Sequence, residues 1–250
     1  MRILKRLALI SLILSFPWIL HAAEENKAPE DKNKKQEGQP VLTRVAKPKP
    51  PIYKPPLRGA PAGRVGGGTR GVTERESFAL MVLAPDHIGF TTNKQPCLYW
   101  YISKATSYPV EVTLTERYAV SPVLEQVIDG PSEGGIQAIC LEDYGVTLEP
   151  EINYKWFVTL VTDANQRSKD ILAGGMLAML TTPTSLLEKK KTAPKDEYYF
   201  LYAEEGIWYD AVEELQRRIE SAPQNGELRE QLTDLLAQVG LGEIVPSSTK

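Results

Sequence analysis

Apolar and polar residues alternate with a period of two over much of the region between Phe78 and about Leu180. Such alternation is typical of β-strands with one buried face. Three segments show it clearly, through the apolar positions Leu98, Trp100 and Ile102; Val110, Val112 and Leu114; and Tyr154, Trp156, Val158 and Leu160. Phe78 to Ala84, Gly135 to Leu141 and Ile171 to Leu180 extend the prediction to about six or seven strands.

Turn-forming residues separate these strands, at Pro85-Asp86, Asp129 to Pro131 and Asp163 to Asn165. About seven short strands within about 100 residues, with two inward tryptophans and no helix between them, fit an immunoglobulin-like antiparallel β-sandwich. The tryptophans are Trp100 and Trp156, which we expect to be structural. A single-sheet α+β arrangement is the alternative.

After Thr182 the apolar period becomes helical. Helices are predicted over Pro183 to Lys191 and Asp196 to Glu205, and two further apolar stripes follow, separated by Pro223 to Gly226. Their members are Trp208, Ala211, Val212, Leu215 and Ile219, then Leu228, Leu232, Leu235, Leu236 and Val239. We therefore expect an α+β protein, with a Gly/Arg-rich segment plus sandwich over 58–182 and helices packed on it over 183–245.

The last two helices also resemble a tetratricopeptide-like hairpin, because Gly206, Trp208, Ala211 and Pro223 keep the spacing of that repeat. Only about one and a half repeats are present, and such repeats need neighbours to bury their faces. We therefore expect Trp208 to anchor the hairpin in the core. A partner would then contact the outer face of the helix, near Glu213, Arg217 and Glu220.

The first 23 residues have the order of a secretory signal peptide. Arg2, Lys5 and Arg6 precede an apolar run from Leu7 to Leu20, and His21-Ala22-Ala23 follows it. The alternative is a retained N-terminal anchor. We expect cleavage after Ala22 or Ala23, a periplasmic or secreted location, and a mature form with no transmembrane span.

Charge is distributed unevenly along the rest of the chain. Residues 24–71 carry 11 basic and 5 acidic residues, whereas residues 72–250 carry 15 basic and 27 acidic ones. A basic arm on an acidic body favours contact with an anionic surface through the arm, or serves only solubility. Nucleic acid is a poor candidate partner for an exported acidic protein.

The arm over residues 24–57 is poor in apolar residues at its start and rich in proline at its end. We expect it to be a disordered linker, and residues 246–250 to form a disordered tail. The proline-rich stretch Lys47 to Pro56 favours an extended polyproline-II conformation. It is interpreted as a spacer or as a docking peptide for an aromatic groove.

The segment RGAPAGRVGGGTRG, Arg58 to Gly71, lacks the Gly-Lys-Ser/Thr ending of a phosphate-binding loop and precedes a strand pattern. Its glycines permit close approach to another backbone, and Arg58, Arg64 and Arg70 can bind carboxylates. It either packs along the acidic body or binds an external anion or partner.

This segment and the later GIWYDA, Gly206 to Ala211, resemble motifs of the bacterial family catalogued as domain of unknown function 928. The resemblance covers residues 58 to about 244. Other shared features are Leu83-Ala84-Pro85, the Trp100 strand, Leu114-Thr115, Leu148-Glu149, Tyr154-Lys155-Trp156 and Gly240-Leu241. The resemblance implies no established activity. Cys97 and Cys140 depart from the family pattern.

These two cysteines are the only ones in the chain. Each lies one residue from predicted core positions, so both are expected to face away from the core and to meet only across neighbouring strands. An oxidising compartment would allow a disulfide between them, and whether they pair stays open.

Little in the sequence supports catalysis. After signal cleavage His87 is the only histidine, and no glycine-flanked serine elbow accompanies it. Acidic neighbours occur at Glu142-Asp143, Glu149 with Glu151, and Glu204-Glu205, but none has the spacing of a calcium loop. We expect a protein that is not an enzyme and has no metal or cofactor.

Two classes of function follow. The first is a non-catalytic exported interaction or scaffold module of the cell envelope that binds another envelope protein. The second is a periplasmic protein that binds or processes cell-wall glycan through Tyr99, Tyr101, Tyr144 or Trp156 with nearby carboxylates. An aromatic-lined cleft with two facing carboxylates would favour glycan, and an exposed apolar patch on the helical hairpin would favour a protein partner.

Overall fold

The computed structural model describes residues 49–56, 63–66 and 77–244. Within these residues eight strands precede four α-helices. The strands are β1 (Leu80–Val82), β2 (Gly89–Thr91), β3 (Cys97–Ile102), β4 (Val110–Glu116), β5 (Leu124–Ile128), β6 (Gly135–Cys140), β7 (Asn153–Leu160) and β8 (Ile171–Met179). The helices are α1 (Thr184–Thr192), α2 (Tyr198–Glu204), α3 (Trp208–Ser221) and α4 (Gly226–Ala237). The order of strands before helices confirms the α+β prediction.

The strands form two sheets. One has three strands in the order β1-β3-β6, and the other has five in the order β2-β8-β7-β4-β5. All pairs are antiparallel except β2 with β8, which is parallel. The predicted sandwich was fully antiparallel, so the parallel pairing of β2 with β8 was not expected. Strands β2 and β5 were not predicted, because they are short and carry little alternation.

The period-two positions make up much of the core. Buried and half-buried residues alternate along β4 and β7, with Val112, Trp156 and Val158 fully buried. The predicted half-buried strands are therefore confirmed at these positions. Strand β8 differs, because it lies between β2 and β7 and is buried along almost its whole length.

The helices begin and end close to the predicted positions. Pro183 precedes α1, and a 3₁₀ turn over Lys195–Glu197 precedes α2. The side chain of Asn225 caps α4 by accepting a hydrogen bond from the Glu227 backbone N–H at 3.1 Å. Buried residues of both sheets and of α2, α3 and α4 belong to one hydrophobic cluster, so these helices complete the core.

Residues 49–56, which we expected to be disordered, lie extended on the helices, and we call this segment the strap. The Lys54 backbone N–H donates to the carbonyl oxygen of Ala203 at 3.0 Å. Tyr53 is 7 % exposed. At these residues the strap is therefore in contact with the helices. Residues 24–48, like the tail at 246–250, lie outside the described residues.

Candidate functional site

The turn at GIWYDA connects α2 to α3 and brings several parts of the fold together. Gly206 has φ 74°, and a side chain there would meet the strap, since an added Cβ would lie 2.6 Å from the Lys54 carbonyl oxygen. Trp208 is fully buried and donates from Nε1 to the Leu83 carbonyl oxygen at 2.8 Å. Glycine is required here because the conformation is left-handed and the strap backbone is close.

Tyr209, the next residue, contacts the five-stranded sheet. Its hydroxyl accepts a hydrogen bond from Trp156 Nε1 at 2.9 Å and donates to the Met176 carbonyl oxygen at 3.0 Å. Burial raises the pKa of Tyr209 well above its ordinary value. The hydroxyl therefore stays neutral and can fill both roles.

A cleft of about 280 Å³ lies at the amino-terminal half of α3. Its lining is polar, and it consists of Thr92, Asn93, Tyr202, Asp210, Glu213, Glu214 and Arg217. These residues come from the end of β2, from α2 and from α3. We take this cleft as the candidate ligand site, because its size and convergent polar groups suit a small polar molecule.

Asp210 is the most buried carboxylate in the cleft lining, at 6 % exposure. It accepts hydrogen bonds from Thr91 Oγ1 at 2.5 Å, from the Thr92 backbone N–H at 3.0 Å and from the Thr92 hydroxyl. Burial raises the pKa of Asp210, although these donors lower it in part. These donors all belong to Thr91 and Thr92, at the end of β2. Asp210 therefore holds Thr92 in place at the cleft.

Glu213 lies one turn further along α3 and is half-buried. Its Oε2 accepts a hydrogen bond from the Cys97 backbone N–H at 3.3 Å. Burial raises the pKa of Glu213, and the negative charge of Asp210 raises it further. Glu213 is thus a carboxyl group that gains a proton more readily than usual and can then donate to a ligand oxygen. Glu214 forms an ion pair with Arg217 beside it.

Tyr202 lines the cleft from α2. Lys190 Nζ lies 2.5 Å from the Tyr202 hydroxyl and 4.1 Å from the centre of its ring. Burial lowers the pKa of Lys190, while burial and then the charges of Asp210 and Glu213 raise the pKa of Tyr202 to about 12. Tyr202 is therefore a neutral hydroxyl with an aromatic face.

No group of three or more potential metal-binding side chains comes together within the described ranges. His87, the histidine considered for catalysis, has Nε2 3.3 Å from the Tyr53 hydroxyl and Nδ1 3.0 Å from the Ile88 carbonyl oxygen. Neither contact forms a nucleophile and base pair. His87 contacts the strap and is absent from the cleft lining.

Of the three arginines in the Gly/Arg-rich segment, Arg58 and Arg70 lie outside the described residues. Arg64 donates from Nη1 to the carbonyl oxygens of Ala84 at 3.0 Å and Val239 at 3.1 Å. It thus joins the segment 63–66 to the body. This agrees with the interpretation that the segment packs along the protein.

The neighbouring residues pair with the sheet. The Val65 and Gly174 backbones exchange two hydrogen bonds, at 2.9 and 2.7 Å. Gly66 has φ 83°, and an added Cβ would collide with the backbone of Leu172. Close backbone approach is therefore a real requirement at this glycine.

The residues proposed for the outer face of α3 have different surroundings. Glu213 and Arg217 line the cleft, and Glu213 contacts β3, so only Arg217 and Glu220 are exposed. Among the described residues, α3 and α4 carry no exposed large apolar side chain. The apolar patch that would favour a protein partner is thus absent from the described part of the hairpin.

The aromatic residues proposed for glycan are mostly unsuitable. Trp156 is fully buried and Tyr99 is 7 % exposed, so neither can stack on a sugar. Tyr101 is half-buried, and Tyr144 is 36 % exposed on a different 3₁₀ turn, Leu141–Tyr144. The aromatic residue in the cleft is Tyr202, which the sequence analysis did not single out.

Cys97 and Cys140 are directly opposite each other on β3 and β6 and form a disulfide. Both are half-buried, on the side of the strands away from Leu98 and Ile139. Cys97 is the first residue of β3, and its backbone N–H donates the hydrogen bond to Glu213. The disulfide therefore tethers the strand end that supports one side of the cleft.

Five of the residues that line the cleft were not expected from the sequence: Thr92, Asn93, Tyr202, Asp210 and Glu214. Only Asp210 had a signal, because it lies inside GIWYDA, where an acidic residue follows three apolar ones in a helix start. Thr92 lies 118 residues earlier in the chain than its partner Asp210. No local pattern joins residues so far apart.

No helix in the described part of the chain is both long and apolar enough to cross a membrane. The chain is an α+β protein in which C-terminal helices pack on two sheets. A polar cleft lies between α2, α3 and the loop after β2. The model of the family described as Domain of Unknown Function (DUF928) matches residues 65–249. The chain belongs to that family. No curated protein matches the chain.

Proposed function

We propose that this protein is a non-catalytic, exported interaction module of the bacterial cell envelope. The observation that carries the proposal is the β4–β5 hairpin. Its tip exposes Tyr118 (87 %) and Val120 (99 %), and Val123 and Val127 extend the apolar surface towards and along β5. Several exposed apolar residues on one hairpin are a feature of interaction sites.

Strand β5 is also an edge. Among the described residues it pairs only with β4, so one row of its backbone groups is open to another strand. Charged residues are one means by which edge strands avoid partners, whereas β5 has a single charged residue, Glu125, and an exposed Val127. The proposed partner is an extended apolar segment of another envelope protein, added to this edge.

The test is site-specific photo-cross-linking in living cells, with the photoreactive residue at Val120 or Val127. The matched control is Leu187, an exposed aliphatic residue on α1. We expect one discrete product from both hairpin positions and none from Leu187. Val127→Lys should remove the product obtained at Val120, whereas Leu187→Lys should not. Equal products from all three positions would refute the assignment.

Export is part of the proposal and rests on the first 23 residues. The expected mature protein begins after Ala22 or Ala23, and amino-terminal sequencing of the protein from the envelope fraction checks this. Recovery of an intact Met1 would contradict cleavage. We further propose that the two sheets are an immunoglobulin-like sandwich and that α3 and α4 form a tetratricopeptide-like hairpin.

Glycan binding is the second candidate, because the cleft combines Tyr202 and Asn93 with two carboxyl groups of raised pKa, Asp210 and Glu213. Titration with soluble cell-wall fragments tests it. Glu213→Ala should weaken binding by about ten-fold, since the hydrogen bond that the protonated carboxyl donates to a ligand oxygen is lost. Glu220→Ala is the control on the same helix. Release of new reducing ends would indicate processing, and no binding by the parent would exclude this candidate.

A further inference from the structure

The strap lies on the helices in the manner of a bound peptide. Alternate side chains point inward, so that Pro51 and Tyr53 are buried while Ile52 is 62 % exposed. It contains Pro50, Pro51, Pro55 and Pro56 around a three-residue centre. Proline-flanked extended segments lose little entropy on binding, which is why grooves lined by aromatics recognise them.

The side chain of Gln238 forms hydrogen bonds with the strap backbone on both sides of Ile52. Gln238 donates from Nε2 to the Pro51 carbonyl oxygen at 2.8 Å, and its Oε1 accepts from the Tyr53 backbone N–H at 2.8 Å. The Lys54 backbone N–H completes the set through Ala203. These three bonds use main-chain groups, so they specify an extended conformation and not a particular side chain.

Side-chain contacts supply the selectivity. The Tyr53 ring meets Trp208 edge-on with 4.9 Å between ring centres, and it is stacked parallel to His87 at 5.9 Å. Lys54 Nζ forms an ion pair with Glu204 at 2.8 Å. Gly206 leaves room for the strap backbone. The groove therefore selects an aromatic residue followed by a cation.

We propose that this groove, formed by Ala203, Glu204, Gly206, Trp208, Gln238 and His87, is a peptide-docking site for an extended, proline-flanked aromatic-Lys segment of a partner protein, and that the chain's own strap occupies it until displaced. This site is separate from the β4–β5 hairpin and does not rest on it. A tethered strap has an effective concentration in the millimolar range, so it masks the groove from free peptide.

The test is fluorescence anisotropy of a labelled peptide, Pro-Pro-Ile-Tyr-Lys-Pro-Pro, with the full chain. Tyr53→Ala weakens the strap and should increase peptide affinity by about ten-fold or more over the parent. Adding Gln238→Ala to that variant should abolish the gain. Ile52→Ala is the matched control, because its side chain points outward and its affinity should equal that of the parent.

Lys54→Glu provides a second opening variant, since it repels Glu204 while leaving Tyr53 in place. Folded Tyr53→Ala and Lys54→Glu proteins that bind no peptide at millimolar concentration would overturn the proposal, as would failure of both to fold. A concentration-dependent dimer of the parent that Tyr53→Ala abolishes would also overturn it, because the occupant would then be the strap of a second copy. Val127→Lys should leave peptide binding unchanged.

Discussion

Replacement of Trp208 by alanine should severely destabilise the protein. The side chain is fully buried, and emptying an aromatic core site costs about 3–5 kcal/mol. Its Nε1–H bond to the Leu83 carbonyl oxygen is lost as well, which leaves a buried acceptor without this donor at about 1–3 kcal/mol. The edge-on contact with Tyr53 also disappears. The terms overlap, so we expect a total loss of about 5 kcal/mol.

Small and medium domains unfold with about 5–15 kcal/mol, so this variant would lose a third or more of its stability. Urea unfolding followed by far-ultraviolet circular dichroism measures the loss without relying on tryptophan fluorescence. Trp208→Phe keeps an aromatic ring but not the N–H, and it should lose about 1–3 kcal/mol.

The control is Tyr118→Ala, because Tyr118 is 87 % exposed and should change stability by no more than about 0.5 kcal/mol. If Trp208→Ala unfolds within about 1 kcal/mol of the parent, the residue is not a core anchor. Loss of partner binding with full stability would make Trp208 a binding residue instead.

Three further predictions concern other parts of the fold. Gly66→Ala should cost about 1–3 kcal/mol by thermal melting, because φ is 83° and the new Cβ meets the Leu172 backbone; an unchanged melting temperature would argue against this packing. Replacing Cys97 and Cys140 by serine opens a link with a sequence separation of 43 and should cost about 4 kcal/mol in urea, whereas equal midpoints with and without reductant in the parent would contradict it. Burial raises the folded-state pKa of Asp210, so the folded protein binds its proton more tightly than the unfolded chain does. The parent should therefore lose stability as pH rises from about 4 towards that pKa, and Asp210→Asn should lose less. Parallel pH profiles of the free energy of unfolding for the two proteins would refute this.

The strand and helix positions with a strong period were readable from the sequence. Val112, Trp156 and Val158 alternate with polar residues and are buried, and the stripe that begins at Trp208 lies in the core. Local periodicity is enough here because each element buries a single face. Strands β2 and β5 were missed because three and five residues carry too little pattern, and pairing with β8 and β4 decides them.

The candidate site was only partly predictable. Glu213 and Arg217 were named as surface residues, but their place in a cleft depends on β3 and on the loop after β2. Asp210 contacts Thr91 and Thr92 across more than 100 residues of chain. Such contacts arise only when the helices close on the sheets.

By itself, the sequence determined the α+β class, the helical end, the family motifs and a glycine-rich segment around Gly66 that can approach another backbone closely. The need for glycine at position 206 depends on the strap, whose Lys54 carbonyl oxygen an added Cβ would meet. Only the tertiary structure decided that the proline-rich strap is docked, because its partners Gln238, Ala203 and Trp208 are about 150 to 190 residues away and none is marked in the strap sequence. Composition reports how much a segment can bury on its own, whereas docking depends on a surface that other segments build.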